Sequence, residues 1–185
     1  MRRDCANIRR LAADDPVHRT VSTLYYANVT IHVLAAMLWL GGMFFLGLVG
    51  APILRAVEPP ALRQRLFQQL GTRARALGWW AIVVLLITGV LNLHFRGWLR
   101  WNGVLGSGAF WRTGTGTALA VKLASVTVMI VVSAVHDFVL GPMAGRLVAG
   151  SAEAIAFRRR AALLARANAL IGVVIVIAAV RLTRG

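Results

Sequence analysis

Four long apolar runs separate the polar stretches of the chain, at about 25–54, 77–95, 116–140 and 163–182. Each approaches or exceeds the ~20 residues that a helix needs to cross a bilayer. Aromatic residues suited to the membrane interface stand at their ends, with Tyr25 and Tyr26 opening the first run and Trp79 and Trp80 the second. Residues 1–22 form a polar tail without the apolar stretch of a secretory signal. After Pro59-Pro60, residues Leu62, Leu66, Leu70, Ala74 and Leu77 recur at helical spacing, with Arg63, Arg65, Arg73 and Arg75 between them. That pattern predicts an amphipathic helix lying in the interface between spans one and two. The expected fold is therefore all-α, an integral membrane four-helix bundle over residues 23–185 with one interfacial helix. No soluble domain and no internal repeat stand out. GTGTG, with Gly114 and Gly116, opens a span and not a βαβ unit, so it is no nucleotide loop.

Composition agrees with this picture and removes alternatives. Hydrophobic residues make up 58% and charged residues 15%, and mean hydropathy is +0.70. A net charge of +15 taken alone points to nucleic acid. The apolar excess points instead to a lipid bilayer with cations at the ends of the spans, and no nucleic-acid partner is expected. With four spans, both termini and the middle loop lie on one side, A, and the first and third loops on the other, B. The arginines divide evenly between the sides. Cations near span ends weigh most, which tips side B inward and makes the N-terminus periplasmic in a bacterial inner (plasma) membrane. The one cysteine, Cys5, excludes an internal disulfide and any CxxC or CxxCH motif.

Candidate chemistry lies in the ionisable residues of the spans, which are expensive in hydrocarbon and so point to function. They are His32, His94, Lys122, His136 and Asp137, and Lys122 is the single lysine. Alternating chain direction sets His32, His94 and Lys122 at similar depth near side A, with Asn28 and Asn92. His136, Asp137 and Asn168 fall near side B. The two layers are roughly 20 Å apart, too far to share one metal ion. Met43 and Met129 are possible soft ligands, although bundle packing explains them better. For a single histidine the plain expectation is a hydrogen bond to a neighbour. Two at one depth beside a buried lysine favour a ligand site.

Several segments resemble known families. IHVLAAMLWLGGMFFL (31–46) followed by Pro52 and Arg55, LITGVLNL (86–93) and GTALAVKLASVTVM (116–129) are similar to CopD-type membrane proteins. His32, Lys122 and His136 match a pattern that resembles HemJ-type protoporphyrinogen oxidases. The CopD resemblance implies copper handling in the inner membrane, and the HemJ resemblance implies a haem-associated redox enzyme.

The expected function is handling of a transition metal, copper first, through His32 and His94, with a periplasmic metal or electron-transfer partner. The alternative is a b-haem redox protein with two imidazole ligands and with Lys122 or an arginine at the propionates. His136 is a further candidate in cofactor binding, with Asn28, Asn92, Asp137 and Asn168 supporting. A third reading makes the polar residues only helix-packing groups of an accessory subunit. A Ser/His/Asp triad or paired carboxylates find no support among six acidic residues.

Overall fold

The computed structural model describes residues 16–100, 103–147 and 151–184. Its elements are α1 (Pro16–Phe45), a π-helical segment (Leu46–Gly50), α2 (Ala51–Arg55), α3 (Pro60–Phe95), two short 3-10 turns (Val104–Gly106, Phe110–Arg112), α4 (Gly114–Ala134), a second π-helical segment (Val135–Leu140), α5 (Gly141–Arg146) and α6 (Ala152–Arg184). The described residues contain no strand. Four helical stretches, Thr20–Arg55, Pro60–Phe95, Gly114–Met143 and Ile155–Thr183, are long and apolar enough to cross a membrane. The chain is an all-α membrane protein whose lipid-facing surface is its own apolar side chains. Leu34, Met37, Leu48, Trp80, Leu163 and Leu170 all point outward.

Two boundaries differ from the sequence pattern. The stretch after Pro59-Pro60 is helical, but it runs without a break into span two as the 36-residue α3. At 1.5 Å per residue α3 is about 54 Å long, well beyond the ~30 Å of a hydrocarbon core. The Leu/Arg stripe is thus the B-side end of a spanning helix and not a separate element. No residue with helix-breaking geometry lies between Pro60 and Trp79, and the pattern alone could not place a break. Likewise α1 begins at Pro16, inside the stretch assigned to the polar tail. The rest of that tail lies outside the described residues.

Backbones pack closely within two helical hairpins, α1 along α3 and α4 along α6, and much less between them. Side chains join the hairpins. Trp39, Ala81, Ile82 and Met129 form the buried centre, flanked by Leu40, Met43, Leu85, Val126, Ile171 and Ile175. Gly172 lets the joint close: a Cβ there would stand 2.7 Å from Leu40 Cδ1 and 3.1 Å from Trp39 Cζ3. At the start of α4 the Thr113 hydroxyl accepts from the Gly116 N–H at 3.1 Å. A Cβ on Gly116 would collide with the Phe110 carbonyl. Capping and close packing therefore account for GTGTG.

The hairpins repeat one design. Each has a spanning helix, a π-helical segment, a short helix with proline in its first turn, and a long returning helix. Proline explains the π segments. Pro52 and Pro142 lack the N–H that would bond Leu48 and Phe138, four residues back, and their rings crowd those carbonyls. The helix widens there. Pro52 and Pro142 stand ninety positions apart, and the same offset pairs His32 with Lys122, Trp39 with Met129 and Met43 with Ser133. It also pairs buried Ile82 and Thr88 with buried Gly172 and Ala178. The internal repeat is in backbone and burial, where paired residues differ in chemistry.

Candidate functional site

On side A, α1 and α3 share a polar network. The Asn28 amide donates to the Thr88 carbonyl at 3.0 Å and to Asn92 Oδ1 at 2.9 Å. His32 Nδ1 lies 2.7 Å from Thr88 Oγ1, and that hydroxyl donates to the Val84 carbonyl at 2.6 Å. With the Thr88 proton committed, Nδ1 must be the donor to Thr88 Oγ1. This leaves the second ring nitrogen, Nε2, with a free lone pair. Gly89 provides the seat, since a Cβ on it would come within 3.6 Å of His32 Cε1. The Thr88-Gly89 pair of LITGVLNL thus orients one imidazole. Asn28 and Thr88 are buried, with 7% and 5% of their surface exposed.

Lys122 enters this layer from α4. Helical spacing puts it on one face with Val126 and Met129, which pack against Trp39, Ala81 and Ile82 of the first hairpin. It lies within electrostatic reach of His32 and of Arg96. It makes no hydrogen bond or ion pair among the described residues. Arg96, at the end of α3, extends a guanidinium N–H to the Leu182 carbonyl of α6 at 3.5 Å and lies over the Trp98 ring at 5.2 Å. Nothing in the residue pattern singles out Arg96, because an arginine just past a span reads as an interface anchor. Only its reach across to α6 distinguishes it.

His94 does not join His32. Thr88 and Asn92 are four apart and share the face that meets α1. His94 is six past Thr88, about 120° from it around the helix. It is exposed, with its ring against the edge of Phe95 at 6.2 Å. No hydrogen bond or ring contact joins His32 to His94, since common depth carries no information about helical phase. Among the described residues, no three His, Cys, Asp or Glu side chains come together as a metal-holding group.

Side B has a different layer. His136 Nδ1 donates to Asp137 Oδ1 at 2.8 Å, and the Trp79 indole N–H donates to Asp137 Oδ2 at 2.9 Å. Arg75 donates to the Asp137 carbonyl at 3.0 Å. The Trp79 and Phe138 rings stack at 5.4 Å. Asp137 thereby ties α3 to the π segment that precedes Pro142. One turn deeper, the Asn168 amide donates to Ser133 Oγ at 2.8 Å and lies 3.8 Å from Met43 Sδ. Asn168 Oδ1 is buried without a partner. The layers are separate: Trp39, Ile82 and Met129 fill the space between them.

Comparison with known proteins identifies the family and corrects one expectation. A protein of Aquifex aeolicus (strain VF5), described as "Uncharacterized protein", is 30% identical over 116 residues, covering 62% of this chain and 68% of the relative. No solved structure matches the chain. The resemblance to CopD-type and HemJ-type proteins is overturned, since the family model that matches is neither of these. Its motifs were short runs of Leu, Ile, Val, Ala and Gly, a composition common to membrane helices in general. The chain belongs to the DUF4149 family, described as "Domain of unknown function (DUF4149)", whose model matches residues 34–153.

Proposed function

We propose that this protein binds a ligand within the membrane at the side-A layer, with His32 Nε2 as the group that meets it and Lys122 beside it. The observation that carries this reading is the orientation of His32. Its Nδ1–H is committed to Thr88, so the lone pair of Nε2 is left available to a ligand. A histidine that served only to hold helices together would be satisfied by Thr88 alone, and Lys122 would have no reason to stand near it without a partner among the described residues. With side A outward, as the charge distribution favours, the layer opens to the periplasm of a bacterial inner membrane.

Metal handling is a second reading. It is favoured by one feature, since metal-bound imidazoles commonly donate their other N–H to a neighbour as His32 does. Copper or a haem iron would receive one imidazole from this chain, His32, and its other donors from elsewhere. Two neighbouring cations, Lys122 and Arg96, weigh against a bare metal cation.

Carbethoxylation of the protein in detergent micelles, mapped by mass spectrometry, tests the first reading. The reagent attacks an unprotonated ring nitrogen, and exposed His94 is the internal standard. Reaction at His32 supports the reading, and complete reaction at His94 with none at His32 overturns it. Copper or haem added to the same preparation tests the second. Bound metal or a Soret band lost in His32→Ala supports metal handling, and absence of both in the unaltered protein overturns it.

A further inference from the structure

We propose that the side-B end of α6 binds an anionic phospholipid, with Arg166 and Arg159 gripping the headgroup phosphate and Leu163 and Leu170 meeting the acyl chains. The site is on the opposite side of the membrane from His32 and does not depend on it.

The surface of α6 supplies the first argument. Arg159, Leu163, Arg166 and Leu170 follow one another at helical spacing and form one stripe. All four are exposed, the leucines at 62% and 69%. Val174 and Ile177 extend the same stripe and are exposed too. The two arginines therefore continue a lipid-facing apolar surface, with a leucine between them that a soluble acidic partner would leave wet.

Depth supplies the second. Counted from Thr183, where the apolar stretch of α6 ends, Arg166 lies about 26 Å along the helix and Arg159 about 36 Å. A hydrocarbon core is ~30 Å thick, and the headgroups bring the bilayer to about 40–45 Å. Arg166 thus starts at the depth of the acyl chains and Arg159 at that of the headgroups. A cation on the lipid face at the first depth is costly unless its side chain reaches the phosphates. The direction is right for it, because helical side chains lean toward the N-terminus, which for α6 is side B.

Partners supply the third. Arg75 donates to the Asp137 carbonyl at 3.0 Å, Arg63 to the Arg55 carbonyl at 3.3 Å, and Arg160 lies over the Phe157 ring at 5.8 Å. Arg159 and Arg166 make no hydrogen bond or ion pair among the described residues. The loop residues outside that set, Val148, Ala149 and Gly150, add no carboxylate. Glu153, six residues before Arg159, is about 120° around the helix from it. A guanidinium meets a phosphate with paired N–H donors.

Native mass spectrometry of the full-length protein, given equal amounts of phosphatidylglycerol and phosphatidylcholine in detergent, tests the proposal. The unaltered protein should retain phosphatidylglycerol preferentially. The preference should fall about fivefold or more in Arg166→Gln and in Arg159→Gln. It should fall less in Arg166→Lys, which keeps the charge without the paired donors. Arg73→Gln, on the stripe of α3 that leads to Trp80, and Arg112→Gln on side A should leave it unchanged. Unfolding temperatures in lipid-free detergent separate lost lipid from lost fold, and if Arg166→Gln does not fold, Arg159→Gln decides. Equal retention of the two lipids by the unaltered protein overturns the proposal, as does an unchanged preference in Arg159→Gln. An equal fall in Arg73→Gln also overturns it, because the lipid would then answer to the charge of side B as a whole. Binding of polyglutamate or an oligonucleotide without a preference between the lipids overturns it in favour of a soluble polyanion.

Discussion

The two polar layers use similar residues for opposite purposes. On side B, the partners of Asp137 come from two elements, His136 next to it and Trp79 and Arg75 on α3. The Asp137 carboxylate is matched by donors, and its bonds to α3 cross from one hairpin to the other. On side A, the bonds of His32 and Asn28 stay within one hairpin. The residue that arrives from the other hairpin, Lys122, brings charge without a partner among the described residues. A layer whose bonds cross the joint and leave little over holds the bundle together. One in which the His32 and Asn28 bonds stay within one hairpin, and only Arg96 reaches across to the Leu182 carbonyl, has capacity for something else. The repeat sharpens the contrast, because His32 and Lys122 occupy matching positions of the two hairpins and carry different chemistry.

The joint itself should give the largest effect. Gly172→Leu would drive a side chain into Leu40 and Trp39, where even a Cβ stands 2.7 Å from Leu40 Cδ1. Overpacking of this kind costs about 1–3 kcal/mol and sometimes more. Both layers should loosen together, read as lower thermal stability in detergent and faster proteolysis of the loops. A variant as stable as the parent would mean that the hairpins are not joined at Trp39. Asp137→Ala should come next, at about 1–3 kcal/mol, because it strips the Trp79 indole and the His136 ring of their acceptor. Asp137→Asn keeps one acceptor and should fall between. Side A should be unaffected, so carbethoxylation of His32 is expected to be unchanged. A change there would break the separation of the layers.

Thr88→Val should be milder for stability, about 1 kcal/mol, since it removes one hydroxyl, with its bonds to His32 and to the Val84 carbonyl, inside the first hairpin. Its effect on the site should be larger. Without the Thr88 oxygen, the His32 ring has no fixed tautomer. Nitrogen chemical shifts of labelled histidine should change from one dominant Nδ1–H form to a mixture. An unchanged spectrum would show that Thr88 does not orient the ring.

Much of this was legible in the sequence, and the remainder failed for identifiable reasons. Span number followed from apolar run length, which the bilayer fixes. The sorting of Asn28, His32 and Lys122 from His136, Asp137 and Asn168 followed from depth, which is counted along the chain. Partnership was not legible, because it depends on helical phase and on which helices are neighbours. His94 shares the depth of His32 and faces elsewhere. Arg96 read as an anchor until α6 placed a carbonyl beside it. The repeat was hidden because His32 corresponds to Lys122 and Trp39 to Met129, with no identity to detect. Its visible trace was two prolines, each followed by arginine a turn later, and their meaning depended on the widened helix before them.

Those prolines supply the smallest expected effect and the finest test of the comparison. Pro142→Ala restores an N–H that can bond the Phe138 carbonyl, so the Val135–Leu140 segment can tighten from π to α geometry. Losing the proline changes backbone freedom and hydrogen bonding in opposite directions, and the net change should stay within ~1 kcal/mol. Geometry should respond more than stability. Tightening the helix turns Asp137 relative to α3, and its bond to the Trp79 indole should weaken, read as an upfield shift of that N–H resonance. Pro52→Ala makes the same backbone change in the first hairpin, where the Leu46–Gly50 segment carries no ionisable side chain. It should leave the Trp79 resonance in place. If both variants move it equally, the π segments respond as one unit. If only Pro142→Ala does, the proline of the second hairpin is what sets Asp137 against α3, and the B-side clasp depends on a widened turn that its counterpart carries without a partner to hold.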